Sequence, residues 1–178
     1  LSVAVLFGIM FLNSCALSNS SNTMITDNNK VADETFIQLI QAIESKDDSL
    51  IKADFSITAH SEQVNFDEMA LKLVEFVQGE VISYTSAEES GVGAEYKKEN
   101  GKMRKMIQSS FCVETTENKY YIAIKECVID EKNNNNVGLM SIYIIEAKNW
   151  DEGYVYRGDG LQELGIHIVE QDEEDSTN

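Results

Sequence analysis

Acid–base, nucleophilic and metal chemistry falls mainly to histidine, cysteine and clustered carboxylates, and this chain offers these in few places. Its two histidines, His60 and His167, are far apart in sequence. His60 is followed by Ser61-Glu62-Gln63-Val64, so the helical zinc pattern with a second histidine is missing. No two cysteines have the spacing of a zinc or redox pair. The acids from Asp130 onward do not make a calcium loop, because Lys132 takes the third position and Asn135 the sixth, where glycine is needed. Gly91-Val92-Gly93 has no third glycine and leads into a strand, so it does not cradle a phosphate. No serine sits in a Gly-x-Ser-x-Gly turn. No metal site and no cofactor are expected.

Cys15 is different. The run Leu1 to Leu12 is apolar apart from Ser2 and Gly8, and it leads to Leu12-Asn13-Ser14-Cys15. A membrane-spanning helix needs about 20 apolar residues and a signal-peptide core about 7–15, so the run fits the second class. Its last residues resemble a bacterial lipobox: a branched aliphatic, a variable position, a small residue, then cysteine. The resemblance implies cleavage before Cys15 and a diacylglyceryl thioether on its sulfur. Two acyl chains hold a protein stably on a bilayer where one does not. The chain thus reads as signal-peptide core and lipobox over 1–14, without its basic n-region, and as lipidated cysteine and polar tether over 15–30. The expected location is the extracytoplasmic face of a bacterial membrane. A Ser/Asn-rich coil of about 15 residues reaches roughly 20 Å. Residues 170–178 read as an acidic tail.

What remains, 31–169, is enough chain for one domain with one core. The 178-residue chain has 31 acids against 14 bases, a net charge of −17. Nucleic acid and anionic surfaces are repelled by that charge, so neither is an expected partner. Arginine occurs only at positions 104 and 157, and proline not at all.

The elements that must position any site read as helices first and sheet second. Phe36, Leu39, Ile40 and Ile43 mark a helix after caps at Asp27 to Asn29. Asp47 and Asp48 open a short second helix over Ser49–Phe55. A third carries Phe66, Met69, Ala70, Leu73, Phe76 and Val77, with Asn65 as cap, Glu68 completing a capping box, Val64 and Met69 as hydrophobic staple, and Gly79 just past its end. Beyond Gly79 the period becomes two. Asn100-Gly101 predicts a tight hairpin, Glu117-Asn118 a second, and Asn133–Asn136 a further turn. Centred on Glu117-Asn118, the second hairpin puts Cys112 opposite Ala123, Cys127 opposite Gln108 and Glu126 near Ser109. Cys112 and Cys127 are then too far apart to bridge. Phe111, Val113, Ile122, Ile124 and Val128 share the core face. Tyr154–Gly160 reads as an edge strand, Leu164–Glu170 as a last strand, and Arg157 as a partner for Asp159.

Helices followed by an antiparallel meander predict an α+β fold with N-terminal helices packed on a curved antiparallel β-sheet. This order, with the Asp47–Ser56 segment DDSLIKADFS as a short second helix, resembles the nuclear-transport-factor-2-like, or cystatin-like, cone. The layout is also similar to a family of Gram-positive lipoproteins. The resemblance implies a pocket between helix and sheet, where a buried carboxylate, histidine or tyrosine would do acid–base chemistry. Candidates are His60, Tyr84, Tyr121, Glu126 and Tyr143; each also has a plain packing role, and none matches a catalytic motif. Trp150 reads as a loop pin. The expected function is a membrane-tethered, noncatalytic module for a small ligand or an envelope protein. The alternatives are an isomerase- or dehydratase-like pocket enzyme, and a module that forms homodimers through its open sheet face.

Overall fold

The structure is a computed structural model that describes residues 27–150 and 163–170. The signal segment, Cys15 and the tether up to Thr26, the edge strand read at Tyr154–Gly160, the Arg157–Asp159 pair and the tail from Gln171 lie outside the described residues.

Four helices precede the first strand: α1 (Asn28–Ser45), α2 (Asp48–Asp54), α3 (Ile57–Glu62) and α4 (Phe66–Phe76). α1 starts where the Asp27 carboxylate accepts from the Asn29 N–H, and it buries Ala32, Phe36, Leu39, Ile40 and Ile43. α2 is capped in the same way by Asp47. α3 is an addition to the sequence reading. Ser56 caps it through the Ala59 N–H, and six residues are too few to show an apolar stripe.

α4 buries the expected Phe66, Ala70 and Leu73, but its ends differ. Asn65 makes no side-chain cap, and Val64 is fully exposed at 103 %, so neither capping box nor staple forms. The entry is fixed one residue earlier. The Gln63 carbonyl accepts from the Phe66 N–H, while the Gln63 side chain is held elsewhere, at Ile166. The helix stops at Val77, short of Gly79. There the Lys46 ammonium donates to the carbonyls of Val74 (2.5 Å) and Val77 (2.8 Å), groups that a C-terminal glycine motif would otherwise satisfy. Gly79 keeps a positive φ of 81° because a Cβ would sit 2.6 Å from Thr116 Oγ1 and 2.9 Å from the Glu117 nitrogen.

The strands are β1 (Val81–Tyr84), β2 (Val92–Glu99), β3 (Lys102–Thr115), β4 (Lys119–Asp130), β5 (Gly138–Glu146) and β6 (Gly165–Val169). A short helix, α5 (Ala87–Ser90), separates β1 from β2 and carries a complete capping box between Ser86 and Glu89. The sheet runs β1-β3-β4-β5-β6, with β2 also on β3. β2 pairs with the first half of β3 and β1 with its end, so the two share one edge. The result is a mixed α+β domain with an open, curved, six-stranded sheet. It is not antiparallel throughout: β6 lies parallel to β5. Parallel neighbours need a connection that returns the length of a strand, and the 18 residues of sequence between β5 and β6 are enough for one.

The Asn100-Gly101 hairpin forms with φ of 52° and 79°. The next hairpin is displaced by two residues from the expected register, with Cys112 opposite Tyr121 and Gln108 opposite Lys125. Thr115 moves it. Its hydroxyl accepts from the Glu117 and Asn118 N–H groups, and its own N–H donates to the Asn118 carbonyl, which centres the turn on Thr116-Glu117. A shift of two keeps every side chain on its face. Phe111, Val113, Ile122 and Ile124 therefore still line the core with α1, where Phe36 stacks on Phe111 at 3.9 Å. Cys112 and Cys127 are free thiols. No helix among the described residues is long and apolar enough to cross a membrane.

Candidate functional site

Glu126 lies on the inner face of β4, under α1, and is 8 % exposed. Its strand neighbour is Ile107 instead of the expected Ser109, as the two-residue displacement requires. The Thr35 hydroxyl of α1 donates to its Oε2 at 3.0 Å. Oε1 is buried with no hydrogen-bond partner among the described residues. Burial pushes the carboxyl up to about 7; the Thr35 bond and the charge of fully buried Lys105 pull it only part of the way back. Glu126 is thus half protonated near neutrality, the range that proton transfer needs.

The other four candidates do not join it. His60 sits on α3, its side chain 50 % exposed, edge-on to Phe66 and 3.7 Å from Asp67 Oδ1. Tyr84 is exposed on β1 against the edge of Phe36. Tyr121 and Tyr143 point to the outer face of the sheet, opposite Glu126. Tyr121 meets the edge of Trp150, at the end of the short turn after β5, at 5.4 Å. Tyr143 is buried beside Ala123 and Ile145 and stacks on His167 at 4.2 Å. Burial lowers the His167 pKa from the usual imidazole range, against the opposing charge of Glu163. A pocket floor built from the five residues together does not exist. Phe36 and Phe111 occupy the space between helix and sheet.

A cavity of about 510 Å³ opens on the other side, on the outer face. Its apolar part is Met106, Met140 and Leu164. Lys97, Arg104 and Lys125 come from the sheet, and Thr58 and Glu62 face them from α3. Alternation along the strands builds it: Lys97 lies opposite Arg104, and Glu95 opposite Met106. A bulge at Val128, where Lys105 pairs Ile129 and Met106 pairs Cys127, and another at Met140 bend the sheet around it. A smaller cavity of about 110 Å³ shares Lys97 and Arg104. Lys97 is committed to Glu99 at 2.8 Å. Lys132 and Lys97 together hold the Glu99 carboxyl at about 2. Arg104 Nε lies 3.8 Å from Asp130 Oδ2 and has no hydrogen-bond partner among the described residues. The Asp130 oxygens already accept from Asn136 Nδ2 and from the Lys132 and Asn133 N–H groups.

Sequence reasoning missed this groove, since its walls come from β2, β3, β4, β5 and α3. One signal was present: Arg104 is one of two arginines in the chain and alternates with Met106 on one face. Among the described residues, no three His, Cys, Asp or Glu side chains gather closely enough to hold a metal ion.

Residues 38–147 match the family model described as Domain of unknown function (DUF5104). The match ends one residue beyond β5. No curated protein matches the chain.

Proposed function

We propose that this chain, which belongs to the DUF5104 family, is a lipid-anchored, noncatalytic binding module on the extracytoplasmic face of a bacterial membrane. The outer-face groove is its ligand site. The observation that carries the reading is the groove itself: about 510 Å³, with an apolar floor and polar groups converging on it, the general character of small-molecule sites. None of the five acid–base candidates lines it. The long helix packed on one face of the curved sheet supports the nuclear-transport-factor-2-like arrangement as the finer fold. The lipobox supports the anchor at Cys15. Homodimerisation through the outer sheet face gains little support, since Ala123, Tyr143, Ile145, Met106, Cys127 and Met140 on that face are already buried within the chain.

One observation favours the pocket enzyme as a second reading: Glu126, titrating near 7, with one buried oxygen that has no hydrogen-bond partner among the described residues. It lines neither cavity, so a substrate would first have to part α1 from the sheet.

The test is the mass of the full chain, extracted from its host membrane in a mild detergent and kept native. A reproducible small-molecule adduct, lost when Met140→Trp fills the groove, is the expected result. A bare mass for the wild type, under conditions that preserve known ligand complexes, counts against the reading.

A further inference from the structure

We propose, on the reading of this groove as the binding site, that its ligand is a small organic anion, with the head on Arg104 and the apolar remainder on Met106 and Met140. The chain carries −17 and only two arginines. One of them is nevertheless set directly across the strand from a lysine, Lys97, on the groove face. Like charges in that relation are destabilising unless something negative lies between them.

Lys97 has its own counterion in Glu99, whereas Arg104 has, among the described residues, the longer pair with Asp130. Its nearest carboxylate, Asp130, stands 3.8 Å away with its oxygens engaged by Asn136 and by backbone N–H groups. The buried Nε of Arg104 lacks a hydrogen bond among the described residues. The Arg104 side chain is 43 % exposed and lines the groove, and a guanidinium placed there offers the planar fork that matches a carboxylate or a phosphate. Beside it, Met106 and Met140 give a floor that reshapes around an apolar chain. Glu62 and Glu95 on the rim keep the net positive charge small, which suits a single anionic head and rejects a polyanion.

The test uses the full chain in nanodiscs of zwitterionic phosphatidylcholine, with methionine methyl groups labelled for NMR. Hexanoate, hexyl phosphate and hexan-1-ol are the probes. The Met106 and Met140 methyls are expected to shift saturably with at least one of the anions and not with the alcohol at equal concentration. A response to hexanoate alone assigns a carboxylate head; a response to hexyl phosphate alone assigns a phosphate ester. Arg104→Gln is expected to weaken the response about tenfold or more, and Arg104→Lys to recover part of it. The Met69 methyl on α4 reports that each variant is folded. An equal response to hexan-1-ol, or an unchanged one in Arg104→Gln, overturns the anion assignment and leaves the groove as a binding site. Silence of both methyls toward all three probes overturns the assignment too. A bare native mass in addition would remove the binding reading itself.

Discussion

At the scale of single residues, Glu126 ties pH to stability. Its carboxyl titrates at about 7 in the fold, against 4.5 in an ordinary setting. Below the lower value both folded and unfolded chains hold the proton, and the group costs nothing. Between the two values the unfolded chain releases its proton while the fold retains it, so stability falls as pH rises. Above about 7 the full penalty is present, on the order of 3 kcal/mol for a carboxylate this buried. Glu126→Gln should therefore raise the melting temperature at pH 8 and leave it nearly unchanged at pH 4.5. Thermal unfolding of both proteins across that range checks the sign, and a larger gain at low pH would refute it. Thr35→Val removes the hydrogen bond from α1 to the carboxylate and should push the Glu126 titration higher still, readable as a displaced carboxyl resonance in a pH titration by NMR. The burial was legible in the alternation of β4. The raised pKa was not, since it depends on how completely α1 and the sheet exclude water from the carboxyl, a burial that the Thr35 bond and the Lys105 charge only partly offset.

At the scale of elements, two glycines with positive φ separate backbone strain from collision. Gly101 has φ of 79° and open space where a Cβ would stand. Gly101→Val should cost about 1 kcal/mol or somewhat more, from strain alone. Gly138 has φ of 122°, and a Cβ there would stand 2.9 Å from both the Asp54 carbonyl oxygen and the Ser56 nitrogen. Those backbone atoms are held in place, since the Ser56 N–H donates to the Leu139 carbonyl at 2.9 Å. Gly138→Ala should thus cost more than Gly101→Ala, about 2 kcal/mol or above, and denaturant midpoints of the two variants test the order. Asn100-Gly101 could be read in the sequence because a local dihedral demand selects the residues. Gly138 could not, because its constraint comes from the end of α2 and the start of α3, far upstream in the chain. The same division explains the elements. The apolar stripes of α1 and α4 are long enough to show a period; α3 and α5 are not. The hairpin faces were legible, while the register depended on one threonine hydroxyl.

At the scale of the molecule, the proposed anchor at Cys15 can be tested apart from the domain. Cys15→Ala should release the protein from the membrane fraction and leave its melting temperature unchanged; retention in that fraction would refute the lipid anchor. The sheet edges bear on self-association. β2 is an exposed edge, and Glu95, Lys97, Lys98 and Glu99 stud it with charge, which discourages strand pairing between copies. The last strand is guarded otherwise. The Gln63 side chain accepts from the Ile166 N–H and donates to the Ile166 carbonyl, both at 2.9 Å, as a neighbouring strand would. Gly165 is what lets it approach, since a Cβ there would collide with Gln63 Oε1 at 2.2 Å.

The parallel pairing of β5 with β6 also orders events in time. A chain synthesised from its N-terminus completes helices, hairpins and β5 before β6 has emerged. During that interval the β5 backbone from Ser141 to Ile145 and the Gln63 amide both await the partners that β6 will bring. The newborn protein is therefore most open to capture, by a chaperone or by a second nascent copy, in the seconds before its last stretch of chain arrives.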